Sequence, residues 1–105
     1  MKSAVVRVLL ATAALAVGGC ASIEESAPPV AVLAASGHGG RSAALEQGRT
    51  IYITRCAKCH RVYPVRQYSA TEWNDIIPDM VARSKMPPAD ESAVRGYVSA
   101  VLGIQ

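Results

Sequence analysis

Five consecutive residues, Cys56-Ala57-Lys58-Cys59-His60, "CAKCH", hold two of the three cysteines and one of the two histidines of this sequence. Two thiols separated by two residues, with an imidazole directly after them, admit three chemistries. A structural zinc ion takes four ligands, usually from two Cys/His pairs. The chain offers one such pair, adjacent residues such as Cys59 and His60 converge poorly on a tetrahedral ion, and the only other histidine is the distant His38. Thiol–disulfide exchange prefers C-x-x-C at a helix N-terminus following a strand. Here the motif follows a helical pattern, and no segment alternates like a strand. The third chemistry is covalent attachment of haem, for which C-x-x-C-H is the c-type motif. The two thiols add to the porphyrin vinyl groups, and the neighbouring imidazole reaches the iron. The rest of the sequence favours this reading.

The elements that must position the motif come after a long N-terminal preamble. The first nineteen residues carry Lys2 and Arg7, then an apolar run at 8–17, then Gly18-Gly19, with Cys20 next. This is the layout of a secretory signal, and the run is shorter than the roughly 20 residues that span a bilayer. "VGGC" resembles the lipobox of bacterial lipoproteins, which implies lipidation of Cys20 as the new N-terminus. Of three cysteines, Cys56 and Cys59 then remain as a matched pair. Loss of Lys2 and Arg7 leaves nine basic residues against eight acidic ones, so the charge balance gives no argument for nucleic acid, and no motif supports it. Residues 20–41 are rich in Ala, Ser, Pro and Gly, as expected of a lipidated N-terminus and flexible linker. "VAVLAA" is its one candidate for a short helix or loose packing. His38, within "GHGG", reads as a solvated linker residue.

The folded domain is expected at 42–105, and a core that small usually needs a staple such as a metal, a disulfide or a large cofactor. Three helical patterns are legible. "SAALEQGRTIYITRC" follows helical spacing, with Ser42 as N-cap. "SATEWNDIIPDMVAR" opens with a capping box, Ser69 with Glu72, and places Trp73, Ile76, Ile77 and Met80 on one face; Pro78 predicts a kink or restart. "ADESAVRGYVSAVLG" has Asp90 and Glu91 in its first turn, an apolar stripe of Val94, Tyr97, Val98, Val101 and Leu102, and Gly103 as its stop. The expected fold is all-α.

Gly48 and Tyr52, eight and four residues before Cys56, together with Tyr97, give the chain a resemblance to class I c-type cytochromes. In that family a Gly and an aromatic at those spacings let the first helix cross the last closely. The stretch from "CAKCHRVYPVRQYSATEWNDIIPDM" to "GYV" is also similar to short bacterial monohaem c proteins, over roughly 48–102. The resemblance implies a small helical domain wrapped around one covalent haem c, held by Cys56 and Cys59 with His60 as axial ligand. Met80, seven residues after Trp73, is the favoured sixth ligand. Met86 in "KMPP" is the alternative, because it resembles the Met-Pro loop of larger members. Only 45 residues follow His60, so the loop on the far side of the haem must be short. Pro64 is a candidate to accept a hydrogen bond from His60 Nδ1. Trp73 is a candidate to line the pocket or hydrogen-bond a propionate, with core packing as the plain alternative.

The function these readings imply is electron transfer by an exported bacterial protein, periplasmic and lipid-anchored to a membrane through Cys20. No small-molecule substrate is expected. The alternatives are a haem enzyme or a gas or peroxide sensor with an open iron position, and a haem subunit of a larger dehydrogenase or oxidase. Arg55, Lys58, Arg61, Arg66, Arg83 and Lys85 form either a solubilising rim or a positive collar that steers an acidic redox partner.

Overall fold

The computed structural model of the chain describes residues 22–37 and 42–104. The expected signal segment, Cys20 and His38 lie outside the described residues. Among those described, the fold is all-α without a strand. The helices are α1 (Ile23–Ser26), α2 (Val30–Ala35), α3 (Ser42–Thr54), α4 (Ala70–Ser84) and α5 (Pro88–Leu102). Single 3-10 turns at Cys56–Lys58 and Val65–Gln67 lie between α3 and α4.

The ends of α4 and α5 follow from local chemistry, while Ser42, expected as the N-cap of α3, is the first residue of that helix. Helix α4 starts on the capping box expected from the sequence: the Ser69 hydroxyl accepts from the Glu72 amide, and the Glu72 carboxylate accepts from the Ser69 amide. Two orphan backbone donors are thereby satisfied. The helix runs through Pro78 without the expected restart. Pro78 cannot donate to the carbonyl of Asn74, but both residues face solvent, where water can satisfy that carbonyl. Lys85 ends the helix in the left-handed region, φ 52°, a conformation that costs a side-chain-bearing residue energy and that turns the chain toward Met86. Helix α5 begins with Pro88 at its first position, where the missing N–H is no loss, and stops at Gly103 with φ 70°.

The core forms where α3 crosses α5. A Cβ added to Gly48 would sit 2.1 Å from the Ala93 carbonyl oxygen and 2.8 Å from the Tyr97 Cβ. Only a residue without a side chain permits this approach. Tyr52 and Tyr97 pack beside the crossing with ring centroids 6.1 Å apart, and Tyr97 is fully buried. Residues 22–37, expected to be a flexible linker, instead join this core. Ala27, Val30 and Leu33 are buried in one cluster with Leu45, Tyr97 and Val101. The Tyr97 hydroxyl donates to the Pro28 carbonyl at 2.7 Å, and Arg49 Nε donates to the Ala27 carbonyl at 3.0 Å. The linker reading weighed composition, which says nothing of the apolar partners that α3 and α5 supply.

Candidate cofactor site

Between the end of α3 and the inner face of α4 lies a cavity of about 280 Å³, at the small end of the roughly 300–1,000 Å³ usual for ligand pockets. Its walls are almost wholly apolar. Trp73, Ile76, Ile77 and Met80 of α4, the helical stripe read from the sequence, form one wall together with Val81. Tyr52 closes the α3 side, Val94 comes from α5, and Met86 enters from the turn between α4 and α5. Cys56, Ala57, His60, Val62, Tyr63 and Tyr68 complete the lining. The structure thus brings together Cys56, His60, Trp73 and both candidate methionines. Met86 is buried and Met80 half-buried. Cys59 is exposed and is not part of the lining; both thiols are free.

The first three residues of the motif, Cys56–Lys58, form a 3-10 turn after α3, with Cys59 and His60 following it, and the segment after the motif is held by side chains of the helices. The Tyr52 hydroxyl donates to the Tyr63 carbonyl. The Trp73 indole N–H donates to the Val65 carbonyl at 2.8 Å in a buried bond, so this group is engaged and does not point to a propionate. Tyr68 meets Trp73 edge-on at 5.5 Å, and Tyr52 meets it from another side at 6.0 Å. His60 stacks obliquely on Tyr63, 4.9 Å between centroids, and the Arg61 guanidinium lies 5.3 Å over the same ring.

His60 Nδ1 lies 2.7 Å from the carbonyl oxygen of its neighbour Arg61. A carbonyl only accepts, so Nδ1 carries the proton and the Nε2 lone pair is left for a metal. Pro64, expected in this role, has its carbonyl accepting from the Gln67 amide at 3.0 Å, where it starts the second 3-10 turn. The Nδ1 partner in the structure is therefore the Arg61 carbonyl and not that of Pro64. Burial raises the Cys56 thiol above its ordinary range, with Arg55 pulling the other way. Burial also raises the Tyr52 hydroxyl, reinforced by the neighbouring Cys56.

Tyr63 and Tyr68 line the cavity without having been singled out as site residues. The signal was present: the chain has five aromatic residues, and four of them, Tyr52, Tyr63, Tyr68 and Trp73, face this one space. The basic collar is thinner than the sequence suggests. Arg55 pairs with Asp90 at 3.0 Å, tying the end of α3 to the first turn of α5, and Arg83 pairs with Asp79 at 3.0 Å. Lys58, Arg61, Arg66 and Lys85 have no ion-pair partner among the described residues.

Comparison with protein-family models, curated proteins and solved structures returned no match to this chain. The reading of the site therefore rests on its residues. One thiol, Cys56, and an imidazole facing an apolar space that also receives two thioethers, with the exposed Cys59 thiol beside them, are a donor set able to attach and ligate an iron porphyrin.

Proposed function

We propose that the chain is a small monohaem c-type electron carrier, exported and tethered to a bacterial membrane by lipid on Cys20. The observation that carries this reading is the meeting of Cys56, His60, Met80 and Met86 on one apolar cavity. Cys56 and Cys59 would hold the porphyrin through thioether bonds. His60 Nε2 would ligate the iron, with Met80 as the favoured second ligand and Met86 as the alternative. When bound, haem supplies one-electron chemistry at a potential that the axial ligands and burial set. The chain contributes apolar walls that exclude water, a tautomer fixed by Arg61, and a loop pinned by Tyr52 and Trp73. The domain is then wrapped around its cofactor, which staples a core otherwise marginal for its size.

The test is expression with a haem-attachment system, followed by a denaturing gel and a pyridine haemochrome assay. One haem should stay with each chain, and Cys56→Ala or Cys59→Ala should prevent the two-point attachment. A chain that leaves the gel without haem sinks the proposal. In the oxidised holoprotein a weak sulfur-to-iron band should be present. Met80→Ala should abolish it and lower the potential, while Met86→Ala keeps it; the reverse pattern transfers the ligand to Met86. No band in the parent protein, with fast carbon monoxide binding when reduced, would point to an open-site enzyme or sensor. Electron transfer to the natural partner should slow between about 0.01 and 0.15 M salt, as the Debye length falls from about 30 to 8 Å. Lys58→Glu with Arg61→Glu should slow it further. A rate indifferent to both changes leaves the cations as a solubility rim.

A further inference from the structure

The segment between the proposed anchor and the domain is a docked strap, and its docking changes what the anchor does. Residues 22–37 bury Ala27, Pro28, Val30 and Leu33, and Leu33 is among the three largest fully buried side chains of the described molecule. The strap also completes the core's hydrogen bonding. The Tyr97 hydroxyl is buried, and its partner is the Pro28 carbonyl. Among the described residues no buried side-chain polar atom lacks a partner, and undocking the strap would remove this bond. Arg49 adds a second bond, to the Ala27 carbonyl.

From this we infer that the strap shortens the tether from the 22 residues at 20–41 to the three at 20–22 that precede α1. This deepens the membrane-anchored reading above and rests on it. A flexible 22-residue chain has a root-mean-square reach of about 25 Å. Cys20 to Ser22, fully extended, reaches about 10 Å. The domain is therefore held against the membrane that anchors it and exchanges electrons at that surface.

Mass spectrometry of the membrane-extracted holoprotein reads the lipid on Cys20, and neutron reflectometry of that protein on a supported bilayer reads the height of the domain. The expected gap is about 10 Å or less. Replacing residues 22–37 by a Gly/Ser sequence of equal length should move the domain outward by about 15 Å. A parent gap near 25 Å would overturn the short tether. Should the replacement fail to fold, hydrogen exchange on soluble Cys20→Ser holoprotein decides the docking. The α2 amides should exchange together with those of α5, and coil-like exchange there overturns the proposal. Absence of lipid with a protected strap would refute the anchor, and the short tether with it, while leaving the docking as measured.

Discussion

Where α3 meets α5, backbone meets backbone: the Gly48 position has the Ala93 carbonyl and the Tyr97 Cβ where any side chain would be. At the C-terminal end of the same helix, around Cys56 to Tyr63, the chain leaves an apolar space of about 280 Å³, with Cys56 and His60 half-exposed and Cys59 exposed. One region is complete with protein atoms alone. The other leaves donor side chains and apolar walls around a space that protein atoms do not fill. The two are joined by side chains anchored in the packed region, because Tyr52 from α3 and Trp73 from α4 each donate to a carbonyl of the loop that follows the motif. Rigidity made at the crossing is thus passed to the site by hydrogen bonds to backbone. A binding loop held in this way keeps its geometry without being buried itself.

The contrast breaks first at Gly48. Gly48→Ala places a methyl group inside the Ala93 carbonyl contact, and because backbone on both helices must move, a loss of about 3 kcal/mol or more is expected, at the upper end for overpacking. Denaturant unfolding of the holoprotein measures it; a loss under about 1 kcal/mol would show that the helices can slide apart. Trp73→Phe keeps the apolar wall but removes the donor to Val65, which leaves a buried carbonyl unpaired. It should cost about 1–3 kcal/mol. The loop after His60 should gain amide exchange while the α3–α5 crossing does not. Equal loosening of both regions would argue against Trp73 as a local pin.

A third test uses pH. Burial pushes the Tyr97 hydroxyl up to about 12 and raises Tyr52 as well. For a group whose folded pKa lies above its unfolded value, near 10 for tyrosine, the folded state holds the proton more tightly. Its stabilising contribution is full below about pH 10 and is lost as pH rises toward 12. The denaturation midpoint should fall across that window, and Tyr97→Phe should flatten the fall at the cost of its bond to Pro28. The smallest expected effect is at the start of α4. Ser69→Ala removes the capping hydroxyl and should cost about 1 kcal/mol. It should leave the absorption spectrum unchanged, because Ser69 does not line the cavity.

Much of this molecule was legible because it is local. The C-x-x-C-H spacing, the Ser69–Glu72 capping box, the Trp73–Ile76–Ile77–Met80 stripe and the Gly103 stop are decided within a few residues along the chain, where periodicity and capping chemistry act. Gly48, Tyr52 and Tyr97 were legible through a resemblance, and the close crossing it implied is present.

What tertiary structure alone decided is every choice between partners distant in sequence or equivalent in type. The carbonyl that orients His60 is that of Arg61, a matter of loop geometry. The engagement of Trp73 with Val65 depends on where the second 3-10 turn falls. Which cations remain unpaired depends on Asp90 arriving beside Arg55 from another helix. The docking of residues 22–37 was hidden for the same reason. Their Ala- and Pro-rich composition describes a chain with little of its own to bury, while the surface that buries it is assembled by α3 and α5 and exists only once they have crossed.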